Sequence, residues 1–414
     1  MTKQNINLLI FTLLIVTAAV RLIGLFFFGD TQLGNEWEIL VHNLSESGTL
    51  GFYVINENLF IIPKQVQGNE IVLPSVFMPP FYSYYIFLFK KIFTNGQYLT
   101  NVIIVSQIFL SIITVFMFFN MLKKKENLIT SIILSLVFSL IPINIYASVQ
   151  ISSICIQVFL IVCFLFIIQK FFQESRINFI SLSALSILSG LLILLRGEFI
   201  LFYILTIIYL FLYFSKNLKF FVISIVITLI TISPYLIRNF YHFETFTVTK
   251  SFGYNLLKGN NPEFKVEGNA AYIANKYDIN KLNIEADKKF EIKLDNFYKD
   301  KAFEYIKNNP SLFIKNYLYK FFGFLFIDFN SSYEKYYNLL HLLPKIILSF
   351  FSFFGALLVL NKTGFLQFIS IYFFSNIFLF SVFFILPRYS LILLPIQILL
   401  SLECVKYLLR KFFN

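Results

Sequence analysis

Three arginines stand where an anion at a membrane surface would need them: Arg196, Arg238 and Arg388 each lie at the end of a long apolar run. A phosphate at the edge of hydrocarbon requires compensating charge. A guanidinium suits it, because its planar fork binds two oxygens and cannot be neutralised. Arginine at membrane depth is costly enough that three on one face imply a task, although each alone could be a residue snorkelling to the interface. Acids are close by in sequence, since Asp30, Glu36 and Glu38 directly follow the first apolar run. Beside a low-dielectric wall a carboxyl pKa rises toward the range of a useful general base. Together the two sets suit displacement of a bound phosphate by an attacking hydroxyl, with the base taking its proton. The plain alternative for the acids is a solvated loop.

The elements that position these residues follow from composition. The 414-residue chain is 58% hydrophobic, 20% aromatic and 14% charged, with a mean hydropathy of +0.75. That is more apolar surface than a soluble core of this length buries. Runs long enough for a bilayer recur near residues 8–28, 101–122, 127–146, 154–172, 177–195, 198–214, 218–235, 343–361, 365–386 and 389–409. They lack the polar alternation of outer-membrane strands and read as helices. The expected fold is an all-α polytopic membrane protein of about ten spanning helices, with interfacial helices and a small outer-face loop domain. The first run is too long for a signal peptide and has no small-residue cleavage site, so it reads as a retained anchor.

Lysines set the threading. Lys123, Lys124 and Lys125, then Lys170 with Arg176, Lys216 with Lys219, Lys362, and Lys406 with Arg410 and Lys411 close alternate runs, the second, fourth, sixth, eighth and last. The positive-inside rule puts them in the cytoplasm, with both termini there and the three arginines outside. The expected location is a bacterial cytoplasmic (inner) membrane. Three parts result: a transmembrane core over 1–235 that includes the first outer loop 29–100, an outer-face region over 236–342, and terminal helices over 343–414. Residues 80–93 and 311–327 are aromatic and carry lysines, and are placed as helices in the outer interface; crossing by either would reverse everything after it. The net charge of +12 and pI near 9.3 come largely from the cytoplasmic flanks and outer-loop lysines, so nucleic acid is not an expected partner, whereas membrane lipids are.

Other chemistry finds little support. Cys155, Cys163 and Cys404 fall within apolar runs, and His42, His242 and His341 are scattered, so neither zinc nor redox spacing is present. No Walker loop, dinucleotide fingerprint or nucleophile elbow occurs. Trp37, Leu40, Val41 and Leu44 repeat at helical spacing and predict a short amphipathic helix on the membrane. The turn-rich stretch 251–262, with Asn255, Asn260 and Asn261, either closes over a donor with amides and side chains or simply punctuates the chain. Residues 263–309 read as a small solvated cap carrying the acceptor side, and Tyr333 to Tyr336 as a solvated loop.

The order of the pieces resembles the C-type membrane glycosyltransferases, in particular the bacterial branch akin to protein O-mannosyltransferases and lipid A aminoarabinose transferases. Those pieces are Pro79-Pro80, the run closed by Arg196, Pro234 with Arg238 and Asn239, and the Gly253, Asn255, Gly259, Asn260, Asn261, Pro262 stretch. Tyr298, Ala302, Ile306, Asn309 and Pro310 follow, then Arg388-Tyr389. The resemblance covers nearly the whole chain. It implies inverting transfer of a sugar from a polyprenyl-phosphate donor to a lipid, glycan or protein acceptor at the outer face. It also implies an acidic base or metal-contacting group in the first outer loop, a role that Glu36 inherits best, with Asp30 and Glu38 as rivals. Two departures stand out: Leu33-Gly34 replaces a frequent acidic pair, and the turn 147–154 offers only hydroxyls and an amide where relatives often place an acid.

A divalent cation such as Mg or Mn would suit carboxylates with phosphate, though nothing demands it. The rival class is a flippase or transporter of lipid-linked sugars, which would show inverted repeats with paired helix breaks. No such repeat is found, and the large asymmetric outer loops favour a transferase.

Overall fold

A computed structural model describes residues 3–56, 61–93, 96–214, 218–325 and 339–413. The expected Lys216 and the patch at Tyr333 to Tyr336 lie outside the described residues. The helices are α1 (Lys3–Phe28), α2 (Asn35–Ser47), α3 (Phe81–Lys90), α4 (Gly96–Lys123), α5 (Leu128–Leu140), α6 (Pro142–Val149), α7 (Ile154–Glu174), α8 (Phe179–Leu195) and α9 (Phe199–Tyr213). They continue as α10 (Leu218–Phe243), α11 (Phe252–Gly259), α12 (Ala270–Lys276), α13 (Phe290–Asn308), α14 (Pro310–Leu325), α15 (Leu339–Val359), α16 (Phe365–Val382) and α17 (Leu394–Phe413).

Among the described residues seven helices are long and apolar enough to cross a membrane, or eight if α5 and α6 count as one bent span. This is an integral membrane protein. The remaining two expected spans, α8 and α9, are apolar helices of 17 and 15 residues, shorter than the runs implied. The third span bends by 57° because Pro142 has no N–H for the Phe138 carbonyl. Asn144 Nδ2 takes that carbonyl instead, at 2.8 Å, so the break leaves no orphan acceptor in the bundle. Polar ties sit inside as well. The fully buried Arg21 donates from Nε to Ser111 Oγ (2.7 Å) and from Nη1 to Ser139 Oγ (3.1 Å), joining α1, α4 and α5.

Two faces separate cleanly. One gathers Lys125 and Lys362 on Glu403, and Lys406 on Glu126. These are the lysine-bearing ends that the sequence places together. The opposite face carries the first loop, the 236–325 region and the 383–389 stretch. α3, at ten residues, is only about 15 Å long and too short to span.

The loop region on that face is not purely helical. Three short antiparallel strands, β1 (Tyr53–Ile55), β2 (Ile61–Pro63) and β3 (Ile71–Val72), pair in the order β2-β1-β3 with Tyr53 opposite Pro63 and Val54 opposite Val72. Their apolar side joins Leu256, Leu257, Phe290, Leu294 and Ala302 in a separate small core. The buried Glu291, in the first turn of α13, fastens the chain beyond β3. Its Oε2 accepts from Ser75 Oγ (2.9 Å), Val76 N (2.7 Å) and Phe77 N (3.0 Å), and burial pushes its pKa up to about 7.

Candidate functional site

The first outer-loop helix forms as its spacing predicts. Leu40, Val41 and Leu44 are buried and Trp37 packs edge-on against Tyr82 at 4.8 Å, while Glu36 and Glu38 remain exposed in the first turn. The three acids part company here. Glu36 is near enough to Lys258 and Tyr254 to influence the ionisation of both. Glu38 instead acts, together with Glu46, on Lys90 at the end of α3.

Asp30 leaves α1 and turns under the head of α7. Its backbone N–H donates to the Val149 carbonyl (3.2 Å), and its Oδ2 accepts from Ile151 N (2.7 Å). Partial burial raises its pKa above 3.8, opposed by the Ile151 amide and by Gln150. Beneath it, Tyr82 donates to Gln107 Oε1 (2.8 Å) and Gln107 Nε2 donates to the Gln150 carbonyl (2.7 Å). The turn 147–154, which has no acid of its own in sequence, therefore has one in space.

The arginines also divide. Arg238 donates from Nη1 to the Ser75 carbonyl and Asn239 Oδ1, both at 2.8 Å, and from Nη2 to the Leu50 carbonyl at 3.1 Å. It ties α10 to both ends of the strand-bearing loop. Arg238→Ala should therefore act on stability, leaving two carbonyls without this partner at roughly 1–3 kcal/mol each where water cannot replace it. Thermal unfolding of the purified chain measures this; an unchanged midpoint would contradict the tie. Arg196 caps α8, and its Nε is buried with no hydrogen-bond partner among the described residues. Arg388 is exposed and in no ion pair among the described residues.

Beside Arg388 the fold brings a cation that the motif reading did not single out. Lys258, in the last turn of α11, lies with Nζ 4.3 Å above the Phe384 ring. Burial and the charge of Arg388 lower its pKa, against the opposing pull of Glu36 and Glu267. The seat is built by close backbone approach: Ile385 N donates to the Val266 carbonyl (2.8 Å) and Asn269 N to the Lys258 carbonyl (2.8 Å). Gly268, at φ +76°, takes the left-handed turn that this requires, and a Cβ there would stand 2.8 Å from Lys258 Cγ. The only sequence signal was position, just before Gly259-Asn260-Asn261-Pro262.

The asparagines of that stretch serve the seat itself. Asn260 Nδ2 donates to the Leu256 and Val382 carbonyls (2.9 Å each), and Asn261 Nδ2 to those of Leu257 (3.0 Å) and Lys258 (2.9 Å). Asn239 Nδ2 donates to the Thr247 carbonyl (2.6 Å), and Asn255 only reaches Ser251 Oγ at 3.4 Å. Tyr389 packs on Phe380 and Phe384, at 5.1 and 5.9 Å. A mostly apolar cavity of about 60 Å³ continues from Pro387, lined by Ile141, Pro142, Leu342, Pro344, Leu391 and Leu394 among others.

Among the described residues no three His, Cys, Asp or Glu side chains gather as a ligand set. Asp30, Glu36 and Glu38 thus do not form a protein chelate for Mg or Mn.

No family model matches the chain, and no curated protein is significantly similar to it. Its fold, however, is shared with solved membrane glycosyltransferases. ArnT from Cupriavidus metallidurans superposes with a TM-score of 0.52 at 11% identity in its apo state, over 94% of this chain and 59% of that one. The same protein bound to undecaprenyl phosphate gives 0.51 at 12% identity, with the same coverage. The Archaeoglobus fulgidus oligosaccharyltransferase AglB, in complex with an inhibitory peptide and a dolichol-phosphate, gives 0.54 at 13% identity, over 97% of this chain and 50% of that one. The chain therefore has the fold of the C-type membrane glycosyltransferases, as the motif order led one to expect. It spans between half and six tenths of the length of these neighbours.

Proposed function

We propose that the chain transfers a sugar from a polyprenyl-phosphate donor to an acceptor hydroxyl at the outer face of the membrane, with inversion. The observation that carries this reading is the meeting of two cation-bearing segments: Lys258 Nζ lies 4.3 Å above the Phe384 ring, the Tyr389 ring next to Arg388 packs on that same ring at 5.9 Å, and neither cation is in an ion pair among the described residues. Burial and Arg388 outweigh Glu36 and Glu267 in their effect on Lys258, so a further anion there would be favoured, and the small, mostly apolar cavity at Pro387 borders the same segment. Undecaprenyl phosphate bound to ArnT and dolichol-phosphate in complex with AglB support the same substrate class.

In the step itself the acceptor oxygen attacks the anomeric carbon, the bond from that carbon to the phosphate oxygen breaks, and the phosphate leaves on the lipid. Inversion requires the attacking oxygen opposite the leaving group. The base must then lie across the sugar from Lys258 and Arg388. Asp30 fits better than Glu36, because burial, Ile151 and Gln150 are what act on it, whereas Glu36 stands at the cationic end. Burial also keeps Asp30 more basic than a solvated carboxylate, which favours proton abstraction. Glu36 opposes the lowering of the Lys258 pKa by burial and Arg388, and so favours its ammonium form.

The test is transfer of labelled sugar from a panel of polyprenyl-phosphate donors in membranes carrying the wild type or Leu342→Trp. A bulky ring in the apolar cavity should raise KM for long-chain donors by about tenfold or more, on the scale of one misfitted apolar contact, and spare short-chain analogues. No transfer from any donor would sink the transferase reading in favour of a lipid-linked sugar transporter.

A further inference from the structure

The cationic pair is held from behind by a residue that touches neither cation. Lys320 of α14 is fully buried. Its ammonium lies 3.3 Å from the Gly259 carbonyl, 3.0 Å from Asn260 Oδ1, 3.2 Å from the Val382 carbonyl and 2.9 Å from the Phe383 carbonyl. No carboxylate pairs with it among the described residues.

Three of these oxygens are main-chain carbonyls at the C-terminal ends of α11 and α16, and the fourth is the side-chain amide oxygen of Asn260, which follows α11. A helix end presents carbonyls without intrahelical donors and carries partial negative charge. Here two such ends meet directly, so closely that a Cβ on Gly259 would lie 1.7 Å from the Phe383 carbonyl oxygen. Two partially negative ends in contact repel, and a cation between them offsets that repulsion. Lys320 supplies donors to both ends and, when protonated, that cation, although burial pushes its pKa down to about 7; Asn260 straps α11 to Val382. Lys258 directly precedes Gly259, and Arg388 lies five residues beyond Phe383, past the 384–386 stretch and at the start of the 3-10 helix Pro387–Leu393. The junction therefore seats Phe384, the ring on which Lys258 (4.3 Å) and Tyr389 (5.9 Å), the neighbour of Arg388, both pack.

We propose that Lys320 is a positioning residue that sets the spacing of Lys258 and Arg388, and through it the affinity for the donor phosphate. The inference rests on the reading of these two residues as the phosphate site, and the test separates the two. Full-length Lys320→Met, which keeps length and removes charge, is compared with wild type in two assays: donor kinetics, and titration of undecaprenyl phosphate followed by fluorescence of Trp37, the only tryptophan in the chain. The expected result is donor KM and lipid-phosphate dissociation constant both raised by about tenfold, the lower end for a group supporting a binding residue, with kcat nearly unchanged.

A merely structural lysine would instead lower the folded fraction and apparent kcat while leaving KM and the dissociation constant as they were; that outcome overturns the proposal. In a Lys258→Ala background the effect of Lys320→Met should largely disappear, because coupled residues are non-additive; full additivity also overturns it. If Lys320→Met does not fold, Lys320→Gln keeps two donors and answers the same question. Should no donor be turned over, the transferase reading fails, while weakened undecaprenyl phosphate binding in the Lys320 variant still supports the positioning role and unchanged binding refutes it.

Discussion

Asp30→Asn is expected to lower kcat for sugar transfer by about 10²–10⁴-fold, the range for loss of a positioned base, while leaving donor KM close to wild type. Asparagine preserves shape and keeps an oxygen for the Ile151 amide, so the turn at the head of α7 should stay in place. Stability should move the other way. The folded protein raises the Asp30 pKa chiefly through burial, so the ionised carboxylate is less favourable there than in the unfolded chain. Its protonated form is the one the fold favours, and that contribution is lost as pH rises through the raised pKa. At neutral pH the neutral amide escapes the cost, and the variant should unfold at an equal or slightly higher temperature. Loss of activity without loss of stability separates a base from a packing residue. The wild-type profile of kcat against pH should fall on the acid side at a pH above the ordinary aspartate range, since only the ionised form accepts the proton.

The fold was legible because hydrocarbon imposes one rule on every span, and apolar runs of sufficient length betray it. Where the rule is relaxed, legibility fell. α8 and α9 come out at 17 and 15 residues because the apolar sequence is cut at Arg196-Gly197-Glu198, where one helix ends and the next begins. The break at Pro142 needed sight of Asn144 turning back on Phe138. Strands of two or three residues are too short for alternation to register.

The site was legible in residue type and less so in partnership. Arg238 and Arg388 look alike in sequence, each beside an apolar run, yet one is engaged by three protein oxygens and the other is exposed. Lys258 resembles a solvated loop lysine until Phe384, Gly268 and Arg388 arrive from elsewhere in the chain. The missing acid at the turn 147–154 is a sequence vacancy that Asp30 fills through α1 packing against α6. Each case turns on long-range contact, which periodicity does not encode.

Lys258→Ala and Arg388→Ala should each lower kcat/KM by roughly 10²–10³-fold, the usual scale for removing one preorganised group that stabilises developing charge. The double variant should lose less than the product, because the first loss already frees the phosphate to shift toward the remaining cation. The pH dependence distinguishes the two arms. Burial and Arg388 bring the Lys258 pKa below 10.5, so donor affinity should weaken as pH rises through that lowered value, while Arg388 stays charged throughout. Lys258→Arg should remove this alkaline limb. Glu36→Gln should move it to lower pH, because Glu36 is one of the groups holding the ammonium charged, and should leave kcat at its optimum within a small factor. If Glu36→Gln instead abolishes kcat at every pH while Asp30→Asn does not, the base is Glu36, and the acceptor must approach from the side of the site where Lys258 and Arg388 stand.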